Sequence, residues 1–225
     1  MSVARSLAEV IARIEGAARA SGRDPSGVRL VAVSKKKPPE AIREAYAAGQ
    51  RAFGESYAQE LATKVAALAD LADIEWHFVG HLQTNKARTV AEHAHVVHSI
   101  DSVAVARELG KRAAKSRTTP LPVLIEVNVG GEPQKAGATP GEIAEVMTAV
   151  QAQPSLELRG LMTVPPAGDP DIVRRVFETM ATLRSLHGGA ATLPELSMGM
   201  SDDLEIAIAA GATYVRVGTA IFGAR

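Results

Sequence analysis

A single closed barrel of alternating strands and helices is the fold class that this sequence predicts. Three observations point to it. β-Branched apolar stretches alternate with amphipathic ones about eight times, helix caps and turn residues fall between them, and no linker, repeat or low-complexity tract divides the 225 residues. Strands that alternate with helices pair in parallel through right-handed crossovers, and eight such units fill a closed (β/α)8 barrel better than an open sheet, the structural alternative.

The chain opens with an amphipathic stretch over 1–20, carrying Leu7, Val10, Ile11 and Ile14 on one face. Glu9 and Glu15 interrupt it, unlike the apolar core of a signal peptide. Residues 28–34 (VRLVAVS) form the first strand, followed by Lys35-Lys36-Lys37-Pro38-Pro39 and a helix over 40–48 closed by Gly49. Strand 51–54 precedes a helix from 57 to about 71, strand 74–80 a helix over 85–93, and strand 95–100 a helix over 103–115. Strand 121–129 leads to a helix opened by Thr139-Pro140-Gly141-Glu142: Thr139 can cap, Pro140 suits the first turn and Glu142 stands at the capping-box position. Strand 156–164 precedes a helix over 170–186, strand 192–197 one over 202–210, and strand 214–218 lies near the chain end. A helix thus precedes the first strand while only 220–225 follow the last, so the N-terminal helix is expected to cover that gap. Residues 1–225 read as one domain.

Lys+Arg and Asp+Glu balance at 25 each, so no net field draws nucleic acid or an anionic membrane, and the expected partner is small. Cysteine is absent, which rules out disulfides and thiolate metal ligands and suits a reducing cytoplasm. No run reaches transmembrane length. Near-zero net charge without an obvious apolar face suggests a monomer or weak dimer.

In a (β/α) barrel the reactive groups sit where strands turn into loops at their C-terminal ends. Lys35 stands at the end of the first strand. If Val31 and Val33 face inward, alternation puts Lys35 on the same face and Lys36 on the other. An amine in a partly apolar mouth loses ammonium stability and becomes a nucleophile toward an aldehyde. A solvated basic turn is the alternative reading of Lys35, Lys36 and Lys37.

Ser197-Met198-Gly199-Met200-Ser201-Asp202-Asp203 joins the seventh strand to its helix, and Arg216-Val217-Gly218-Thr219 ends the eighth. Small residues let backbone N–H groups approach an anion, and these two loops are the recurrent phosphate position in barrels. Asp202 and Asp203 would repel a phosphate if they faced it, so they are expected to point outward; ordinary turn glycines are the alternative. Arg216 falls on the inner face with Tyr214 and Gly218. A guanidinium there needs an acceptor, either a ring nitrogen or phosphate, or an inward carboxylate such as Glu126. His77 and His81 do not make a zinc motif, His93, His95 and His98 read as structural or surface residues, and no metal site is expected. The loop 130–137 lacks the P-loop pattern and reads as a long loop at the active end, a candidate lid.

Val33-Ser34-Lys35 with Lys37-Pro38, Phe53-Gly54-Glu55, Trp76-His77-Phe78 with Gly80, Leu82-Gln83-Thr84-Asn85-Lys86, Gly160-Leu161-Met162, the Ser197–Asp203 segment and Arg216-Val217-Gly218-Thr219-Ala220-Ile221-Phe222-Gly223 together closely resemble the pyridoxal phosphate homeostasis protein family, in order and through nearly the whole chain. The resemblance implies a single-domain barrel similar to the cofactor domain of alanine racemase. Lys35 would carry pyridoxal 5'-phosphate as a Schiff base, Met200-Ser201 and Gly218-Thr219 would contact its phosphate, and Arg216 would face the pyridine nitrogen. One position departs from the pattern: the family reads Gly-Glu-Asn where this chain has Gly54-Glu55-Ser56, so the ring contact from Ser56 would come from a shorter side chain.

An arginine at the ring nitrogen disfavours its protonation and weakens the ring as an electron sink. Racemisation by two bases also needs a donor opposite Lys35; related racemases bring a tyrosine from a second domain, and the tyrosines here are only Tyr46, Tyr57 and Tyr214. The expected function is therefore binding and intracellular buffering or delivery of the cofactor, with apo-enzymes as candidate recipients and no robust turnover. A small racemase is the alternative. A cofactor-free Schiff-base aldolase is a third reading.

Overall fold

The computed structural model describes residues 2–132 and 135–224. Eight parallel strands close into one barrel in chain order: β1 (Arg29–Val33), β2 (Ala52–Glu55), β3 (Glu75–Phe78), β4 (Val96–Ile100), β5 (Leu121–Glu126), β6 (Leu156–Met162), β7 (Glu195–Ser197) and β8 (Tyr214–Val217). Closure is made by β8 on β1, with Arg29 opposite Tyr214 and Ala32 opposite Val217.

Alternation divides each strand between two environments. Ala32, Phe53, Trp76, Val97, Ile125 and Val215 join the large core under the helices. Residues of the other parity pack inside the barrel in small separate clusters, Val31 with Ala52 and Tyr214, and Val96 with Leu124 and Met162. The inward parity expected for Val31 is observed.

Between the strands run α2 (Pro39–Ala47), α3 (Ala58–Ala67), α4 (Ala87–His93), α5 (Val103–Ser116), α6 (Ile143–Gln151), α7 (Pro170–Leu186) and α9 (Leu204–Ala209), with a short α8 (Gly189–Thr192) before β7. The Thr139/Glu142 capping box forms, and it opens a 3-10 turn that leads into α6. The N-terminal helix α1 (Val3–Ala20) is capped by the Ser2 hydroxyl, which accepts from Arg5 N at 3.3 Å. It buries Leu7, Val10 and Ile14 against α2, α9 and the final helix α10 (Thr219–Phe222), each side chain giving about 1.5–3 kcal/mol. It therefore covers the gap left after β8, as expected, although Ile11 of the proposed apolar face is 39% exposed.

Several sequence boundaries overshoot. The stretches 79–80, 127–129 and 163–164 lie beyond β3, β5 and β6: Val79, Val127 and Thr163 each make one last bond to the neighbouring strand, and the chain then turns into the loops of the mouth, where Val79, Val127 and Val164 line cavities. Residues 219–222 form α10, where no helix was expected. In the loop 130–137, Pro133 and Gln134 lie outside the described residues, and the lid expectation falls partly on them.

Candidate functional site

Lys35 follows the last strand turn of β1, one residue beyond Ser34, and its neighbours hold the turn from both sides. Ser34 is fully buried; its hydroxyl donates to Glu55 Oε1 at 2.6 Å and its carbonyl accepts from Lys64 Nζ at 2.7 Å. Lys64, 3% exposed, also pairs with Glu55 and Glu60, each at 2.7 Å. Glu60 in turn accepts from Lys36 N at 2.6 Å, fixing Lys36 in the left-handed region (φ 60°). Among the described residues it is the only non-glycine there, an uncommon conformation that costs energy and needs such support. Burial pushes the Glu55 carboxyl above its usual range, against the opposing pull of its bonds to Lys64 and Ser34.

The turn aims Lys35 into a cavity of about 320 Å³ at the C-terminal mouth of the barrel, within the size range of small-ligand pockets. Every sequence-predicted site residue lines it: Lys35, Ser56, Met200, Ser201, Arg216, Gly218 and Thr219. Lys37, Val33, Val79, Val164, Asp202 and Gly223 complete the wall. Gly80 packs so closely that a Cβ there would lie 2.2 Å from the Ser56 carbonyl oxygen, which lets the β3 loop reach the pocket beside Ser56.

Arg216 is 5% exposed and bonds only to neutral acceptors, Ser197 Oγ at 2.8 Å and the Thr163 carbonyl at 2.9 Å. The sequence left open an ion pair with Glu126; none forms among the described residues, and Glu126 and Asp203 act on Arg216 only through space. Burial pulls the guanidinium down to about 10 despite those two acids. Ser197 Oγ also meets His98 Nδ1 at 2.8 Å, and His98 Nε2 meets His77 Nδ1 at 2.8 Å. Both imidazoles are fully buried, and desolvation pulls their pKa values down, that of His98 well below the usual range. The row continues to Glu75, 3.2 Å from His77, at the opposite end of the barrel. His98 is thus structural, as read, but lies in the barrel interior and not at a surface turn. Its parity with Val96 on β4 is the signal that would have placed it inside.

The two loops that the sequence offers as phosphate contacts are tied together. Gly199 takes φ +96°, and a Cβ there would also come within 2.5 Å of Ala207 Cβ. Ser201 Oγ accepts from Thr219 Oγ1 at 3.0 Å and from Ala220 N at 3.4 Å, joining the loop after β7 to the start of α10. Asp203 does not point outward as expected. Its Oδ1 accepts from Met200 N at 2.5 Å, and burial raises its carboxyl above the usual range. The acid closes its own turn because the Met200 N–H would otherwise lack a partner at that bend. Asp202 is exposed on the rim, and Arg13 of α1 offsets the local acidity by pairing with Glu205 at 2.8 Å while donating to the Ser201 carbonyl at 2.9 Å. Nothing local in the sequence links residue 13 to residue 201. By contrast, the Glu60/Lys64 spacing on α3 was a readable i,i+4 signal.

A lysine amine, a buried guanidinium without an acid partner and a small-residue cradle at the mouth of one (β/α)8 barrel define the class of the alanine racemase N-terminal domain, whose family model matches residues 6–225. Within that class the chain belongs to the pyridoxal phosphate homeostasis protein family. It is 48% identical over 226 residues to the pyridoxal phosphate homeostasis protein of Pseudomonas aeruginosa, covering 100% of this chain and 96% of that one. The Escherichia coli K12 protein of the same name is 45% identical over 229 residues, covering 99% and 97%. Among solved structures, PipY of Synechococcus elongatus with pyridoxal phosphate bound superposes with a TM-score of 0.82 at 39% identity, covering 98% of this chain and 100% of that one. Alanine racemase of Corynebacterium glutamicum, at 19% identity and a TM-score of 0.71, shares the fold, and this chain spans 61% of its length. Among the described residues no helix is long and apolar enough to cross a membrane.

Proposed function

We propose that this protein binds pyridoxal 5'-phosphate as a Schiff base on Lys35 and holds it in reserve inside the cell, buffering or delivering it without robust turnover. One observation carries the reading: the lysine amine, the Arg216 guanidinium and the Met200-Ser201 and Gly218-Thr219 loops converge on a single cavity. Those are the groups the cofactor requires, an amine for its aldehyde, a partner for its ring nitrogen and a cradle for its phosphate. Ser56 lines the same cavity, and in this reading its hydroxyl would contact the ring. A cation at the ring nitrogen opposes its protonation, so the cofactor would be held as a weak electron sink. Named relatives described as homeostasis proteins, and a relative of known structure with the cofactor bound, support the same reading.

The test is a spectral titration of wild type and Lys35→Ala with pyridoxal phosphate, followed by dialysis and an assay for racemisation and transamination. An imine absorbance band that is retained only by wild type supports the reading. Turnover at ordinary enzyme rates overturns the storage role. A weak racemase is the second reading, favoured by one observation: Glu126 and Tyr57 line a chamber that also contains Lys35. It requires solvent deuterium exchange at an amino-acid α-carbon that is lost in both Lys35→Ala and Glu126→Gln.

A further inference from the structure

A second cavity of about 520 Å³ adjoins the first and shares Lys35, Ser56, Val79 and Val164 with it. Its distinctive residue is Glu126 at the end of β5, 9% exposed, whose Oε2 has no hydrogen-bond partner among the described residues. A buried carboxylate without a partner costs several kcal/mol and is retained where something else completes it.

The charged groups around Glu126 come from five elements. Arg216 on β8 is bonded to Ser197 and Thr163. His81, after β3, pairs with Asp101, after β4, at 3.0 Å. Lys135 in the loop after β5 pairs with Glu132 at 2.6 Å, and Lys35 follows β1. Arg216, His81 and Lys135 are thus engaged elsewhere, and none of them makes an ion pair with Glu126. Burial together with the Asp101 charge pushes its carboxyl up to about 7, against the pull of Arg216 and His81.

The rim of the chamber is mixed: exposed His81 and Gln83 stand on one side with half-buried Asn128 and Lys135, and an apolar strip runs along the other. Tyr57 is 49% exposed and Val164 39%, and Val79 and Val127 line the wall between this rim and Glu126. An apolar strip that ends at a lone buried acid matches a ligand with an aliphatic stem and a cationic head carrying several N–H donors. A divalent metal fits less well: the described residues hold no group of three or more ligating side chains.

We propose that this chamber binds alkylammonium groups, with Glu126 accepting the ammonium and Tyr57, Val79, Val127 and Val164 packing the stem. The binding itself is independent of the proposed function; its consequence rests on it, because an amine held here lies beside the lysine read as the cofactor's anchor. That is where an acceptor's lysine side chain, or a free amine, would have to come.

When the ammonium ion docks, the protonated Glu126 carboxyl gives its proton to solvent, so a neutral acid and a cation become a carboxylate-ammonium pair plus one free proton. Affinity should therefore rise about tenfold per pH unit below pH 7 and level off above it, with close to one proton released at pH 6. Calorimetry on the full chain, free of cofactor and loaded, in two buffers of different ionisation enthalpy reads both quantities. The probes are n-butylammonium, Nα-acetyl-lysine methylamide, its Nε-acetyl derivative, pentanol and valerate. Binding of the two cations with proton release, absent for the other three and weakened at least tenfold at pH 8 with loss of the pH dependence in Glu126→Gln, supports the proposal. Preference for the lysine derivative over butylammonium assigns the source to a protein side chain, and equal binding to a free amine. Equal binding of pentanol or valerate, no binding of any probe, or unchanged binding by a Glu126→Gln protein that melts cooperatively overturns it. Failure of the cofactor reading would appear separately, as the absence of label on Lys35, with amine binding to the cofactor-free chain unaffected.

Discussion

The two ends of the barrel treat charge in opposite ways. At the N-terminal end Arg29 pairs with Glu75 at 2.6 Å and donates to the Tyr214 hydroxyl at 2.6 Å, Arg159 pairs with Glu157 at 3.0 Å, and Glu195 accepts from Thr213 Oγ1 at 2.6 Å. At the mouth, Arg216 has only neutral acceptors and Glu126 has a bare oxygen, although both are more deeply buried. Acids and bases that satisfy one another hold a fold together; those left incomplete in a cavity are the places where the proposed ligands would complete them. The pKa directions follow the same division. Glu75 is held down at about 2, chiefly by His77, while burial lifts Glu126 to about 7.

The contrast can be broken most severely at the mouth. Lys35→Ala should abolish retained cofactor while the cofactor-free chain still melts cooperatively, since the turn is clamped by the bonds of Ser34 and Lys36. Absorbance after dialysis and a melting curve check both halves. The clamp is a buried ion pair made through Glu55 Oε1, so Lys64→Met should cost about 3–5 kcal/mol by leaving Glu55 buried without its cation. A second change, Glu55→Gln, should recover part of that loss in the urea midpoint.

The sharpest comparison is the same substitution at both ends. Glu126 has a folded value raised above its unfolded one, so its ionisation costs stability increasingly from about pH 4.5 to 7 and fully above. Glu126→Gln should therefore stabilise the cofactor-free fold by about 2–3 kcal/mol at pH 8 and by nothing below pH 4. Glu75 has a depressed value, so its contribution is present above about pH 4.5 and lost as the pH falls toward 2. Glu75→Gln should destabilise by about 0.5–1 kcal/mol at pH 8, a figure reduced for solvent screening of a partly exposed pair. Urea titrations at pH 4 and 8 give both signs. Smallest of all, Glu9→Ala, which breaks the exposed pair with Arg5, should change stability by less than about 0.5 kcal/mol.

Much of this was legible in the sequence because barrels are written locally. Period-2 alternation put Val31, Val33 and Lys35 of β1 and Tyr214 with Arg216 of β8 on the inner face alike, and the Thr139/Glu142 box opened its helix as read. What escaped was long-range or side-chain specific. Asp203 turned back onto Met200 N, Arg13 crossed from the first helix to Ser201, and the Ser197–His98–His77 row depends on three strands meeting inside the barrel. The sequence offers Glu126 as a partner for Arg216; that the two do not pair follows only from the three-dimensional distances.

If the incomplete mouth is a cofactor site anchored at Lys35, borohydride reduction of the protein loaded with pyridoxal phosphate, followed by peptide mass mapping, tests it most directly. The expected result is the phosphopyridoxyl mass on the Lys35 peptide alone, and none there in Lys35→Ala. Label on Lys36 or Lys37, scattered label, or no label at all would contradict it.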